Sequence, residues 1–159
     1  REFGATVVAA DEIYDADCDV FAPCALGGTL NASTIARLRG EVVVGAANNQ
    51  LQTNEDGVRL EQRGITYGPD FVANAGGVLS GSVDILGWDL DDAKRRIEAI
   101  YDTMRSVLQY AASESVPPAA AAETRIADRV MQLRGRVRDD ALHAALGEVL
   151  RLAQKAEKP

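Results

Sequence analysis

The segment VVVGAANNQL, residues 42–51, is the part of the sequence on which the fold prediction depends most. It begins with three valines, which favour a buried β-strand, and it passes through small residues into Asn48, Asn49 and Gln50. Side-chain amides both donate and accept hydrogen bonds without carrying a charge. The segment therefore predicts a strand whose carboxyl end presents uncharged polar groups.

Length and charge limit the classes of partner. The chain has 159 residues, of which 47% are hydrophobic, and this is enough for the core of about one domain. Its formal charge of -7 disfavours nucleic acid and anionic membranes as partners. No apolar run approaches the roughly 18 residues of a membrane span, and residues 1–4 do not resemble a signal peptide. A cytoplasmic location is expected.

Cysteine and histidine are too sparse for a metal site or a catalytic triad. Cys18 and Cys24 match neither a C-x-x-C pair nor a zinc-ligand spacing, so reduced thiols are expected. The single histidine, His143, is interpreted as an ordinary surface or packing residue. A nucleophilic role for Cys24 is disfavoured, because no histidine is near it in the sequence.

Apolar runs alternate with helix-like stretches in the first half of the chain. Strands are predicted at residues 6–8, 19–22, 42–46 and 65–67, and helices at residues 31–40 and 53–64. Asn31 and Ser33 are the expected caps of the first helix, with Gly40 as its stop. This order predicts an α/β fold with a partial doubly wound, Rossmann-like, mostly parallel sheet, in which ligands lie beyond the carboxyl ends of the strands.

The second half of the chain is predicted to be helical. A long amphipathic helix begins at Asp89, which is its expected cap. Pro117 and Pro118 end it and open a second helix, and Asp139 is expected to cap a third. We therefore divide the chain into residues 1–88, an α/β part, and residues 89–159, a segment of C-terminal amphipathic helices.

Two loops after predicted strands could carry a ligand, and each has a structural alternative. Gly27 and Gly28 would let the ribose or phosphate of a cofactor approach the backbone, or they could form a plain β-to-α turn. Asn48 and Asn49 could bind a neutral carboxamide or donate to a carboxylate. Alternatively, Asn48 makes an Asx turn and Asn49 faces water. The residues alone leave both alternatives open.

The segment NAGGVLSG, residues 74–81, predicts a third ligand-contacting element. Asn74 is the expected cap of a helix, and the two glycines after Ala75 suggest that a planar ring or another backbone comes close. Val78 and Gly81 lie one turn apart and could form the floor of a side-chain pocket. Uncharged residues at three strand ends favour a cofactor that supplies its own chemistry. No G-x-G-x-x-G motif occurs in the chain, so these residues predict half of a nucleotide-binding domain.

Four motifs in this order carry a family resemblance: CDVFAPCALGGTLN, VVVGAANNQL, GITYGPDFVANAGGV and AIYDT. Over about residues 1–130 the chain resembles the carboxyl-terminal half of the amino-acid dehydrogenases that act on leucine, valine and phenylalanine, which are relatives of glutamate dehydrogenase. The resemblance implies an NAD-dependent oxidative deamination of an L-amino acid to a 2-oxo acid and ammonia. It also implies that residues 1–88 are the second half of an NAD-binding domain.

The resemblance also implies roles for individual residues. Asn49 would lie near the substrate carboxylate and the nicotinamide, and Asn74 would orient the nicotinamide carboxamide. Val78 and Gly81 match the positions of the substrate side-chain pocket, where glycine would leave room for a larger, aromatic substrate. The other cofactor contacts would come from the two loops after the second and third predicted strands: Cys24, Ala25, Leu26, Gly27, Ala47 and Asn48.

Several parts of the family pattern are missing from these residues. The catalytic lysine and aspartate, the substrate domain and the first Rossmann strands would all lie upstream of Arg1, so no catalytic residue is assigned in this chain. We expect the 159 residues to be a piece of a homo-oligomeric parent enzyme and to be inactive alone. One alternative is a non-catalytic α/β oligomerisation module, and another is a different nucleotide-binding enzyme of the same architecture.

Overall fold

A computed structural model describes residues 3–136 of the chain. The chain divides into two compact units, Arg1–Ala122 and Glu123–Pro159. The first unit combines a small parallel sheet with helices, and the described part of the second unit is helical. The helix expected after Asp139 and the residue His143 lie outside the described residues.

Three short parallel strands form the sheet. They are β1 (Val20–Phe21), β2 (Val42–Val43) and β3 (Thr66–Tyr67), and they lie in the order β1, β2, β3. Val43 of the central strand is fully buried between Phe21 and Tyr67, as expected for a β-branched residue in a parallel sheet. These three strand predictions are confirmed, and the α/β class with them, whereas the doubly wound arrangement stays a prediction.

The strand predicted at residues 6–8 is wrong. No β-structure occurs there, and the side chain of Val7 is 94% exposed. A strand requires a neighbour to bond its backbone N–H and C=O groups, and no described residue pairs with this segment. A short run of β-branched residues therefore does not form a strand here.

Helices make up most of the described chain. A 3₁₀ turn at Ile13–Asp15 precedes them, and no described helix is both long and apolar enough to cross a membrane. The six helices are α1 (Ala32–Ile35), α2 (Asn54–Gln62), α3 (Asp70–Ala73), α4 (Gly76–Leu86), α5 (Leu90–Glu114) and α6 (Pro118–Arg136).

Capping side chains explain where the helices begin. Asp56 Oδ2 accepts the backbone N–H of Thr53 at 2.9 Å, which completes a capping box at the start of α2. Asp89 Oδ1 accepts the N–H of Asp92 at 2.6 Å and begins α5, as predicted. Asn31 caps α1 as predicted, but α1 is only four residues long, so Gly40 does not end it.

Two clusters of buried side chains stabilise the first unit. One joins the sheet to α1 and α2, and the other joins α3 to α5 and the start of α6. The first contains Phe21, Leu30, Ile35, Leu38, Val43, Leu60, Ile65 and Tyr67, and the second contains Val72, Val107, Ala111, Ala121 and Ala122.

Candidate functional site

The loops that follow β1 and β2 lie directly against each other. The backbone N–H of Gly28 donates to the carbonyl of Asn49 at 2.7 Å. A Cβ atom at Gly27 would lie 2.7 Å from the carbonyl oxygen of Asn48 and 2.9 Å from that of Asn49, so only glycine fits without a shift of the backbone. Gly27 therefore lies against the backbone of the asparagine loop, whereas a Cβ atom at Gly28 would meet no heavy atom within 4 Å. The approach of a cofactor to these glycines stays a prediction.

Asn48 and Asn74 are brought together from two different loops. Asn74 Nδ2 donates to Asn48 Oδ1 at 2.6 Å, on an exposed part of the surface. The prediction that Asn74 caps a helix is wrong: it follows α3, and Ala75 is the residue that precedes α4. Because α3 is a single turn that starts just after β3, its end lies beside the loop after β2.

Asn49 adopts a left-handed backbone conformation, with φ of 52°. Such values are uncommon outside glycine, although asparagine tolerates them better than most residues. Asn48 and Asn49 are both exposed, and the next residue, Gln50, is fully buried. The turn at Asn49 therefore separates two outward-facing amides from an inward-facing one.

The buried side-chain amide of Gln50 holds this loop in place by hydrogen bonds to backbone carbonyls. Its Nε2 donates to the carbonyl of Gly45 at 2.8 Å, to that of Ala47 at 2.9 Å and, more weakly, to that of Pro23 at 3.5 Å. Its Oε1 is buried with no hydrogen-bond partner in the described part of the chain. The three amides at the end of β2 therefore differ in role: those of Asn48 and Asn49 face outward, and that of Gln50 holds the loop together.

A buried carboxylate connects the same loop to α3. Asp70 Oδ2 accepts the backbone N–H of Gln50 at 2.9 Å, and Asp70 Oδ1 accepts the N–H of Phe71 at 2.8 Å. Burial, and then the nearby charge of Asp70, raise the pKa of Tyr67 well above its ordinary value. Tyr67 therefore stays a neutral phenol at neutral pH.

The remaining cofactor contacts implied by the resemblance differ in accessibility. Cys24, Ala25 and Leu26 are exposed, and the backbone N–H of Ala46 points at Cys24 Sγ over 3.5 Å. Ala47 is 4% exposed, and its N–H donates to the carbonyl of Pro23 at 3.0 Å. The segment after Pro23 is therefore open to a ligand, whereas Ala47 lies beneath the loop.

Helix α4 presents small residues at its start. Gly76 and Gly77 form its first turn, and a Cβ atom at Gly77 or Gly81 would meet no heavy atom within 4 Å. Val78 is 77% exposed. Packing within the described chain therefore gives no reason for glycine at positions 77 and 81, and the space beside them is open.

The chemistry available in the loops after β1 and β2 and at the start of α4 is mainly that of neutral hydrogen-bonding groups. Residues 23–28, 44–50 and 74–81 contain no lysine, arginine or histidine. Within residues 3–136, no three His, Cys, Asp or Glu side chains are placed to hold a metal ion. A cavity of about 480 Å³ lies at the other end of β3, against α5, and it involves none of the predicted site residues. These segments can orient a ligand through hydrogen bonds, and their one ionisable side chain is the thiol of Cys24.

Sequence reasoning missed the roles of Gln50 and Asp70. Both residues belong to quoted motifs, but residue type alone does not tell an amide that faces water from one that faces the core. The signal that could have found Gln50 is its position next to two asparagines at a strand end, where the backbone carbonyls of a tight loop need donors.

Comparison with known proteins identifies the family. A family model described as Glutamate/Leucine/Phenylalanine/Valine dehydrogenase matches residues 2–136. The chain therefore belongs to this family of amino-acid dehydrogenases, as its motifs predicted.

Individual relatives cover most of this chain but only part of their own length. Leucine dehydrogenase of Thermoactinomyces intermedius is 44% identical over 134 residues, which are 84% of this chain and 37% of that protein. The crystal structure of L-tryptophan dehydrogenase from Nostoc punctiforme matches with a TM-score of 0.78 and 42% identity, over 82% of this chain and 40% of that one. Valine dehydrogenase of Streptomyces albus is 44% identical over 118 residues, which are 74% of this chain and 32% of that protein. The chain thus spans about a third to two fifths of the length of these three relatives.

Proposed function

We propose that this chain forms the nicotinamide side of the cofactor site in an NAD-dependent L-amino-acid dehydrogenase. The reaction would be the oxidative deamination of a branched-chain or aromatic L-amino acid to a 2-oxo acid and ammonia. The observation that supports this most is the hydrogen bond between Asn48 and Asn74, because it brings two amides together beside the glycine loop in a chain of this family. The parent would be a cytoplasmic homo-oligomer.

The amide pair suits recognition of a carboxamide. The bond between Asn74 Nδ2 and Asn48 Oδ1 uses one donor and one acceptor. The Asn48 Nδ2 and the Asn74 Oδ1 remain available, since neither atom has a hydrogen bond within the described residues. A carboxamide has one acceptor oxygen and an NH₂ donor, so it could bond to both atoms at once. Bound NAD would be the hydride acceptor, and these residues would orient its nicotinamide ring.

The substrate would lie between Asn49 and the start of α4. Asn49 is exposed and offers an amide donor to a carboxylate, whereas Val78 and Gly81 would face the substrate side chain. Glycine at position 81 leaves open space, which favours a larger, aromatic side chain. Relatives named for leucine, valine and tryptophan indicate that a range of side-chain sizes is compatible with this family.

We expect groups outside the loops after β1 and β2 and the start of α4 to carry out proton transfer. The lysines of the chain are Lys94, Lys155 and Lys158, and none lies in residues 23–28, 44–50 or 74–81. We expect the 159 residues alone to turn over no amino acid, because residues 23–28, 44–50 and 74–81 contain neither the lysine nor the aspartate that the resemblance implies for proton transfer.

The direct test is an assay of the full-length polypeptide that contains this chain. Purified protein is mixed with NAD or NADP and with L-leucine, L-valine, L-phenylalanine or L-tryptophan, and the absorbance of the reduced cofactor is followed. We expect a steady rise with NAD and at least one of these amino acids. The absence of a rise with all four would contradict the proposal, as would equal activity of the isolated 159 residues.

A second candidate is a non-catalytic oligomerisation module that pairs with another copy of itself. The observation in its favour is a set of exposed apolar side chains at the end of α4 and the start of α5: Ile85 at 83%, Leu86 at 60% and Leu90 at 68%. Size-exclusion chromatography combined with an NAD titration separates the two candidates. A discrete oligomer that does not respond to NAD would favour the module.

A further inference from the structure

We infer that Gln50 is a positioning residue of the dehydrogenase site. It would act by holding Asn48 and Asn49 in register with Asn74, without contacting NAD or the substrate. The inference rests on the function proposed above, because the site it supports is the proposed nicotinamide site.

The first observation is where Gln50 lies. Its side chain is fully buried, so it does not reach a ligand on the surface. It nevertheless comes directly after the two exposed asparagines in the sequence. A substitution at Gln50 can therefore affect the exposed asparagines only by changing the conformation of the loop.

The second observation is that the side chain of Gln50 closes the loop on itself. Nε2 lies 2.8 Å from the carbonyl oxygen of Gly45 and 2.9 Å from that of Ala47, five and three residues earlier. One amide thus satisfies two carbonyls on the inner side of a turn whose outer side consists of Asn48 and Asn49. Without it, the buried carbonyl of Ala47 and the partly buried carbonyl of Gly45 would lose this donor, and we expect the turn to rearrange to find others.

The third observation is that Gln50 joins the loop to three other segments. Its N–H donates to Asp70 at the start of α3 over 2.9 Å, and its carbonyl accepts the N–H of Leu30 at 3.0 Å. Nε2 also faces the carbonyl of Pro23 at 3.5 Å, at the end of β1. The segments that carry Cys24, Asn48, Asn49 and Asn74 therefore all meet at this one buried residue.

The geometry of the donor explains why an amide is required. Three carbonyl oxygens surround Nε2, so the group at this position must donate, and because the side chain is fully buried an uncharged donor is favoured. A carboxylate would face those oxygens with more negative charge, and a thioether of similar length would offer no donor. Glutamine supplies a neutral double donor on a side chain long enough to reach back to Gly45.

The test is a double-mutant cycle in the full-length polypeptide. Gln50→Met keeps the length of the side chain and removes the donor, and it is combined with Asn74→Ala. We expect Gln50→Met alone to lower kcat/KM for NAD by about 10-fold or more, as misplacement of orienting groups does. In the Asn74→Ala background, Gln50→Met should lower kcat/KM for NAD by less than about 3-fold, because the alignment of Asn48 with Asn74 has already been lost.

A matched control separates positioning from loss of stability. Leu60 is fully buried in the core cluster at α2 and lies outside residues 23–28, 44–50 and 74–81. Leu60→Ala should therefore lower the melting temperature and leave kcat/KM of the folded protein unchanged. All assays are run well below the lowest melting temperature. If Gln50→Met does not fold, Gln50→Asn, which keeps an amide one methylene shorter, takes its place in the same cycle.

A readout independent of activity completes the test. The peptide covering residues 44–50 contains the hydrogen-bonded N–H groups of Ala47 and Gln50. Hydrogen–deuterium exchange in this peptide should be faster in Gln50→Met than in the unaltered polypeptide, and it should be unchanged in Leu60→Ala. Equal losses of kcat/KM in both backgrounds, or unchanged exchange at residues 44–50, would overturn the inference. If the unaltered polypeptide oxidises no amino acid, the proposed function fails, and the exchange experiment still decides whether Gln50 fixes the loop.

Discussion

Asn74 Nδ2 lies 2.6 Å from Asn48 Oδ1, and this contact joins the loop after β2 to the end of α3. The two residues are 26 positions apart in the sequence. Their meeting follows from a parallel sheet, in which the chain emerges from β2 and β3 at the same edge. The contact is exposed, so we expect it to contribute little to folding stability, and we propose that it serves to bind the cofactor.

The first prediction concerns this amide pair. Asn74→Ala removes both the bond to Asn48 and the acceptor proposed for the carboxamide, so we expect kcat/KM for NAD in the full-length enzyme to fall by roughly 10- to 100-fold. The free energy of unfolding should change by less than about 0.5 kcal/mol, because the residue is at the surface. Steady-state kinetics and chemical denaturation measure the two effects.

Asn54→Ala is the matched control for the amide pair. Asn54 is an exposed asparagine at the start of α2, and it lies outside residues 23–28, 44–50 and 74–81. Asn54→Ala should change neither kcat/KM for NAD nor the free energy of unfolding. Equal kinetic losses in the two variants would mean that the pair has no special role.

The second prediction concerns the packing of the loops after β1 and β2. A Cβ atom at Gly45 would lie 2.6 Å from Pro23 N and would meet other backbone atoms of Pro23 as well. Gly45→Ala should therefore lower the free energy of unfolding by about 1–3 kcal/mol, as expected for overpacking. Gly77→Ala is the control, since a Cβ atom there meets nothing within 4 Å. Thermal denaturation that showed equal midpoints for the two variants would refute this packing.

The third prediction concerns Gly81, in the interior of α4. Gly81→Ala introduces no clash and replaces glycine by the best helix former, so it should raise the free energy of unfolding by up to about 1 kcal/mol. If Gly81 opens the substrate pocket, the same change should lower kcat/KM for aromatic amino acids more than for valine. Kinetics with both kinds of substrate give the ratio, and an unchanged ratio would place Gly81 outside the pocket.

The fourth prediction concerns acid stability at the ion pair of Asp15 and Arg37. The hydrogen bond from Arg37, 2.5 Å from Asp15 Oδ2, holds the pKa of Asp15 below its ordinary value of 3.8. A lowered pKa in the folded state stabilises the protein above pH 3.8, and this contribution is lost as the pH falls through the lowered value. Asp15→Asn should therefore unfold more easily at neutral pH and match the unaltered chain in strong acid.

Salt and a neighbouring residue provide controls for the ion pair. Both side chains are partly exposed, so the difference at neutral pH should shrink as salt is added. Asp17→Asn removes the charge of an exposed aspartate two residues away. A pH dependence of the same size in Asp17→Asn would assign the effect to net charge and not to the pair.

Much of the fold could be predicted from local sequence patterns. The valines of β2, the cap at Asp89 and the break at Pro117 each act within a few residues, so the pattern contains the cause. The segment at residues 6–8 could not be judged in this way, because a strand depends on a partner that lies elsewhere in a chain. Asn74 was misplaced for a related reason: the short α3 comes between β3 and α4, and it moves the cap position to Ala75.

The candidate site was predictable as a set of loops but not as a set of contacts. Parallel strands and small residues indicated that Gly27, Asn48 and Asn74 would share one edge, and the structure brings their loops together. The inward direction of Gln50 depends on the left-handed turn at Asn49, which has no reliable sequence signal in asparagine. Directions of side chains in a tight loop are set by tertiary hydrogen bonds.

The most direct test of the central claim is a crystal structure of the full-length polypeptide with NAD and a 2-oxo acid bound. The account predicts that the nicotinamide carboxamide lies within hydrogen-bonding distance of the Asn48–Asn74 pair and that the acid carboxylate lies near Asn49. A nicotinamide ring bound at another surface, with the amide pair facing solvent, would contradict it.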